Sequence, residues 1–288
     1  MFAGAYTALV TPFTKDGKLD LPRLRDLVEF QIAEGIDGLV PVGTTGESPT
    51  LDYEEHIRVI AETVAAARGR VPVIAGTGSN CTQEALDLTR RAAAAGATAT
   101  LQVTPYYNKP TQAGLIAHFS AVADLGLPVM LYNVPGRTAC EISVKTAAEL
   151  ARHPRIVALK EAGGSVERVA RIREACAIEV LSGDDALTLP MMEAGAVGVV
   201  SVASNVIPRA IRDLVHAANA RRWDEARALH ERWMPLFRDL FVETNPQPVK
   251  AALALMGRIE ESLRLPLVPI SPGARERLTA TLRALGVL

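Results

Sequence analysis

At 288 residues, with 49% apolar and 22% charged side chains, the chain can bury a sizeable core and carries too little charge to be disordered. Thirty-one basic residues against 32 acidic ones give a formal charge of -1, which leaves no cationic excess for a nucleic-acid backbone or an anionic membrane surface. Cys81, Cys140 and Cys176 are widely spaced without a CxxC pair, which argues against a disulfide framework or structural zinc and for a reducing compartment.

The amino-terminal run has no basic segment ahead of it, and nowhere do about 18 apolar residues run unbroken. Neither a signal peptide nor a membrane span is expected, so the cytoplasm is the expected location and membranes are not expected partners.

In chain order, AYTALVTPF (5–13) reads as a buried strand, and LPRLRDLVEFQIAEG follows as a helix with Leu24, Leu27, Val28 and Ile32 on one face. Further strand-like runs are GLVPVG (38–43), VPVIAGTG (71–78), TATLQVTP (98–105), PVMLYNVP (128–135), IVALKEAG (156–163), EVLSGDD (179–185) and GVVSVASN (198–205). Their apolar character on both faces is that of parallel strands covered by helices. EEHIRVIAETVAAARG, TQEALDLTRRAAAAG and SVERVARIREACA supply helices between them, with Gly35, Gly69 and Gly96 placed to cap helix ends. After Val206 only helical texture remains, at 207–219, 223–240, 246–257 and 271–285, interrupted by Pro208, Pro246, Pro248 and Pro266.

Eight strand–helix alternations at roughly 25-residue spacing predict an α/β fold, a (β/α)8 TIM barrel. A doubly wound open sheet uses the same alternation, but the strand count favours the barrel. The expected organisation is a catalytic barrel over 1–222 and a carboxy-terminal α-helical extension over 223–288.

In such a barrel the strand carboxy ends build the active site. The second strand leads into GTTGES (43–48), the fourth into TPYYNKP (104–110), the fifth into YNVPGRT (132–138) and the seventh ends in SGDD (182–185). Lys160 follows IVAL inside the sixth strand, where alternation with Ala158 points it inward, whereas the lysines at 15, 18, 109, 145 and 250 lie in loops, helices or polar segments. A dry barrel penalises an unpaired ammonium, and a neutral amine attacks carbonyl carbon, the chemistry of Schiff-base lysines. The alternative is a structural ion pair with Glu161 or Asp184, although Glu161, adjacent on the strand, should face the other way.

The glycines and hydroxyls of GTTGES suit a small carboxylate or phosphate, or serve only the turn. Tyr132 aims a phenol at the rim for proton transfer, and Arg137 offers a guanidinium for a substrate carboxylate. A half-buried aromatic and a solvated loop charge are the plainer readings of those two. GTG at 76–78 lacks the rest of a dinucleotide fingerprint, with cysteine at 81. The five histidines (His56, His118, His153, His216, His230) show neither HxH nor HExxH spacing, so catalytic zinc or iron is not expected.

With ALVTPF, GTTGES, VIAGTGSN, VTPYYNKP, LYNVPGRT, ALKEAG, LSGDD, GVVSV, LFVETNPQPVK and RLPLVPIS in order along nearly the whole chain, the sequence resembles the dihydrodipicolinate synthase branch of the pyruvate-dependent class I aldolase superfamily, to which N-acetylneuraminate lyase also belongs. The resemblance implies a lyase without cofactor or metal. Lys160 would form an imine with pyruvate, and Thr44, Tyr132 and Tyr107 would relay protons, Tyr107 reaching in from a partner subunit. Thr45 would hold the pyruvate carboxylate, Arg137 that of L-aspartate 4-semialdehyde, and the backbones of Gly183 and Val200 would line the pocket. The product would be 4-hydroxy-tetrahydrodipicolinate, on the route to lysine and diaminopimelate, made by a homotetramer of two tight dimers.

Relatives acting on sialic acid or keto-deoxy sugar acids usually lack an arginine in the YNVP loop, so Arg137 favours a short carboxylate-bearing aldehyde. A sugar-acid aldolase or dehydratase, or a keto-acid sensor without catalysis, are the competing readings. A sensor would need no proton relay. Gly136 stands where the branch commonly has serine, which could alter loop stiffness. The resemblance also implies an L-lysine effector site at Ser48, Pro49, Tyr53, His56, Asn80, Glu84 and Tyr106. There Glu84 would meet the lysine ammonium and Asn80 and Tyr106 its carboxylate. Pro49 and Tyr53 replace the small residue and histidine common in sensitive members.

Overall fold

A computed structural model describes residues 2–288. Its eight strands are β1 (Gly4–Ala8), β2 (Gly38–Val40), β3 (Ile74–Gly76), β4 (Ala99–Val103), β5 (Val129–Asn133), β6 (Ile156–Glu161), β7 (Glu179–Ser182) and β8 (Gly198–Ser201). They form one parallel sheet in the order β2-β1-β8-β7-β6-β5-β4-β3. The remaining seam closes between β2 and β3: the Leu39 N–H donates to Pro72 O at 3.0 Å and the Gly76 N–H to Pro41 O at 3.0 Å. Closure of that seam excludes the open sheet and makes the molecule a TIM barrel.

The strands are shorter than the apolar runs at their carboxy ends. β1 stops at Ala8 and β8 at Ser201, where the runs continue to Phe13 and Asn205. Leu9, Val10 and Phe13 are buried all the same, Leu9 and Val10 within the apolar layer shared with the surrounding helices. Burial alone gives loop and strand the same apolar texture.

Alternation divides the core into two layers. Tyr6, Val40, Ile74, Leu101, Met130, Ala158, Leu181 and Val200 fill the barrel. Val129, Leu131, Leu159, Val180 and Val199 face outward against the helices. Those helices are α1 (Leu21–Ala33), α2 (Tyr53–Ala67), α3 (Thr82–Ala94), α4 (Gln112–Ala123), a short α5 (Pro135–Thr138), α6 (Val144–Leu150), α7 (Val166–Ala175), α8 (Thr188–Glu193) and α9 (Pro208–Asn219).

On α1, Leu24, Leu27 and Val28 are buried as predicted, but the fourth inward position is Gln31, with Ile32 half-buried. Gln31 tolerates burial because it accepts from Thr7 Oγ1 at 2.6 Å and donates to Ser204 O at 2.8 Å. Gly35 and Gly96 take left-handed φ of 82° and 90° after α1 and α3, whereas α2 ends on Arg68 at φ 50°, ahead of Gly69.

Three helices follow: α10 (Trp223–Asp239), α11 (Gln247–Leu255) and α12 (Pro272–Ala284). Leu236, Phe237, Val249, Leu253 and Leu278 join the same apolar layer as the barrel helices. The 240–246 segment between α10 and α11 carries Phe241 and Asn245 to the barrel mouth. Lys250, on the helix expected over 246–257, lies on α11 and is fully buried. Among the described residues no helix is long and apolar enough to cross a membrane.

Candidate active site

Tyr132 on β5 and Lys160 on β6 are register partners, so both side chains enter the barrel from neighbouring strands. The Lys160 amine lies 4.3 Å from the centroid of the Tyr132 ring, and Lys160 is only 6% exposed. Glu161 faces the opposite way, accepting from Arg168 Nε at 2.8 Å, Asn133 Nδ2 at 2.9 Å and the Gly163 N–H at 2.7 Å. The Asp184 carboxylate accepts from the Ala186 N–H at 2.9 Å. Neither acid pairs with Lys160, so the structural ion pair is not formed. A side chain at Gly183 would place its Cβ 2.9 Å from Lys160 Cε, so glycine there leaves the lysine its room.

The loop after β2 is held in two uncommon conformations, Val42 at φ 56° and Glu47 at φ 55°. Between them the Gly46 N–H donates to Gly43 O and the Glu47 N–H to Thr44 O, both at 3.1 Å. This turn brings Thr44 and Thr45 to the same cavity as Lys160 and Tyr132. Arg137, on α5, reaches it from the fifth loop.

Asn245 is the residue that sequence reasoning missed. Its Nδ2 donates to Thr45 Oγ1 at 3.0 Å, and its carbonyl accepts from an Arg137 Nη at 3.2 Å. Its Oδ1 is buried without a partner. The only signal in the sequence was its place within LFVETNPQPVK.

The cavity, about 140 Å³, is lined by Thr44, Thr45, Tyr132, Arg137, Lys160 and Gly183 among the predicted residues, with Asp184, Val202, Phe241 and Asn245 beside them. Val200 is not in its lining. It packs inside the barrel, and Val202, two residues further along and just beyond the end of β8, takes the wall position. Behind that wall Asp185 accepts from Ser201 Oγ at 2.5 Å, the Val202 N–H at 3.0 Å and the Ala203 N–H at 2.9 Å. Burial outweighs these bonds and raises its pKa to about 6. Tyr107 does not reach the cavity of its own chain: it is 89% exposed, with φ 72°.

A second cleft, about 400 Å³, gathers Ser48, Pro49, Tyr53, His56, Glu84 and Tyr106, together with Ser79. Asn80 is not in its wall; its carbonyl accepts from Asn108 Nδ2 at 2.8 Å. Glu84 accepts from Ser79 Oγ at 2.5 Å and from the Tyr53 hydroxyl. These bonds, Ser79 first, lower the Glu84 pKa, while the bond to Glu84 pushes the Tyr53 phenol up to about 12. Burial lowers the pKa of His56, whose Nε2 lies 2.7 Å from Gly76 O.

Residues 1–285 match the Dihydrodipicolinate synthetase family. The chain belongs to that family. It is 51% identical to 4-hydroxy-tetrahydrodipicolinate synthase of Geobacter sulfurreducens, over 98% of both chains. Its fold superposes with a TM-score of 0.98 and 45% identity, over 100% of both chains, on chloride-inhibited dihydrodipicolinate synthase from Acinetobacter baumannii complexed with pyruvate. A dihydrodipicolinate synthase from Cyanidioschyzon merolae with lysine bound superposes at 0.97 and 44% identity, over 100% of this chain and 99% of that one. Membership in the dihydrodipicolinate synthetase family accords with the buried amine, the phenol and the guanidinium meeting in one small cavity.

Proposed function

We propose that the protein condenses pyruvate with L-aspartate 4-semialdehyde to 4-hydroxy-tetrahydrodipicolinate, in lysine and diaminopimelate biosynthesis, through an imine on Lys160. The observation that carries this reading is the Lys160 amine, buried without a carboxylate partner over the Tyr132 ring in a cavity sized for a small acid. Nζ attacks the keto carbon of pyruvate and water leaves, giving a protonated imine. That cation draws electrons from the neighbouring methyl group, so a base can remove a methyl proton near neutral pH and leave a nucleophilic enamine. Tyr132 and Thr44, which line the same cavity, are assigned the transfer of these protons.

The enamine carbon attacks the aldehyde carbon of the second substrate, whose oxygen takes up a proton to become the hydroxyl. The substrate's own amine then attacks the imine carbon, closing the ring and releasing Lys160. Thr45, fixed by Asn245, is assigned the pyruvate carboxylate, and Arg137 the carboxylate of the aldehyde, where a bidentate guanidinium contact orients it.

Tyr107 is assigned to a neighbour's relay, because its ring is exposed and does not line the cavity of its own chain. The active form is then an oligomer, a tetramer of two dimers. The barrel of residues 1–222 carries the chemistry and residues 223–288 brace its mouth. The cleft beside Glu84 is assigned to L-lysine as a feedback effector. The location is the cytoplasm.

Borohydride reduction in the presence of pyruvate tests the imine: a reduced pyruvate adduct is expected on the peptide bearing Lys160. A coupled assay with aspartate semialdehyde against N-acetylneuraminate and 2-keto-3-deoxygluconate tests the second substrate. Turnover of a sugar acid in preference to the semialdehyde would overturn the assignment.

A further inference from the structure

Glu47 and Lys250 are the most deeply buried ion pair among the described residues, both side chains 0% exposed, with Nζ 2.5 Å from Oε1. Glu47 closes the turn that carries the two threonines, since its N–H donates to Thr44 O at 3.1 Å. Lys250 belongs to α11, over two hundred residues away in sequence, and its amine lies 4.3 Å from the centroid of the Phe13 ring. The Arg264 N–H donates to the second Glu47 oxygen at 3.2 Å, and the Arg264 guanidinium covers the same Phe13 ring at 4.3 Å. The Asn245–Thr45 bond ties the start of α11 to the same turn.

Two charges removed from water are a poor way to gain stability. A well-packed apolar pair of similar volume is commonly as stable or more so, by about 1–4 kcal/mol. What an ion pair adds is direction: one amine and one carboxylate fix the place of Glu47, a residue already held at a left-handed φ of 55° that costs strain. Neither group lines the catalytic cavity. Their effect on chemistry passes through the turn. We propose that Lys250 and Glu47 are positioning residues, a clasp by which α11 sets the Thr44–Thr45 turn at the pyruvate end of the cavity.

The proposal rests on the assignment of those threonines to pyruvate. Its test compares wild-type protein with Glu47→Leu/Lys250→Met, which removes both charges together and leaves neither unpaired. A melting temperature equal to or above wild type is expected, with a KM for pyruvate, and a pyruvate concentration for half-maximal borohydride trapping, raised about tenfold or more. A folded double variant that keeps both values within twofold of wild type, or loses only kcat, overturns the clasp. Should that variant not fold, Glu47→Gln keeps the shape and drops the charge. A severalfold rise in the same two values supports the clasp, and no rise overturns it. If wild-type protein fails to trap pyruvate at all, the assignment of the threonines falls instead.

Discussion

The Lys160 amine sits over the face of the Tyr132 ring, 4.3 Å from its centroid, because the two residues are register partners on adjacent strands. The pairing is set by backbone hydrogen bonds of the barrel and therefore does not depend on a mobile loop. It puts the amine and the phenol-bearing ring side by side in a buried site, as the proposed roles of nucleophile and proton carrier require. An electron-rich ring face also stabilises positive charge, such as that of the protonated imine proposed for Lys160.

Lys160→Ala is expected to abolish the pyruvate adduct in borohydride trapping and to lower condensation by at least about 10³-fold. Lys250 is a second buried lysine, but its amine is held by Glu47 and lies outside the cavity. Mass spectrometry of the trapped protein checks this: an adduct that persists in Lys160→Ala would assign the imine elsewhere. Tyr132→Phe keeps the ring and removes the hydroxyl assigned to proton transfer. It should retain the wild-type melting temperature and lose about 10²-fold or more in kcat.

Lys160 was legible because a lysine inside an apolar β-branched run is costly and period-two alternation gives its direction. Lys250 was not, because PQPVKAALAL has the composition of an ordinary helix and nothing local shows that a carboxylate 203 positions earlier meets it. Asn245 escaped for the same reason: an asparagine before proline reads as a turn, and its contacts to Thr45 and Arg137 exist only once the 240–246 segment crosses the mouth. The exchange of Val200 for Val202 in the cavity wall follows from where β8 ends, and strand ends are blurred when the chain beyond them is equally apolar. Barrel closure was foreseen from the strand count, while the bonds that close the β2–β3 seam are visible only in three dimensions.

Arg137→Leu should separate the two substrates. The guanidinium lies at the cavity with Asn245 O as its one hydrogen-bond partner among the described residues, so it has further donors to offer a carboxylate. Loss of a charge-assisted contact of about 1.5–3 kcal/mol predicts a rise of about 10- to 100-fold in KM for aspartate semialdehyde. Half-maximal trapping of pyruvate should stay within about threefold of wild type. Equal losses for both substrates would remove the assignment of Arg137 to the aldehyde.

Asp185 gives a pH signature to the cavity wall. Burial raises its pKa from 3.8 to about 6, so between those values the folded protein holds a proton that the unfolded chain has released. The resulting stabilisation is fully present below about pH 4 and is lost as pH rises through 6, of the order of 3 kcal/mol in all. Asp185→Asn is neutral throughout and lacks this dependence. Chemical denaturation from pH 4 to 7 is expected to show the stability of wild type relative to Asp185→Asn falling as pH rises, then levelling above pH 7. A difference that grows with pH would mean that the bonds from Ser201, Val202 and Ala203 prevail over burial.

The cleft beside Glu84 makes the last prediction. Its carboxylate already accepts from Ser79 and Tyr53, yet each carboxylate oxygen has a second lone pair free to meet an ammonium. Those two bonds, that of Ser79 first, lower its pKa and so favour the charged carboxylate. Burial lowers the pKa of His56, which favours the neutral ring. Inhibition by L-lysine is therefore expected to be nearly flat between pH 7 and 8. Glu84→Gln should raise the lysine concentration for half inhibition by about tenfold or more, the loss of one charge-assisted bond. Dose–response curves for both proteins at the two pH values check this. A wild-type enzyme indifferent to millimolar lysine would leave the cleft without its assigned effector, and an unchanged response in Glu84→Gln would move the ammonium to another group.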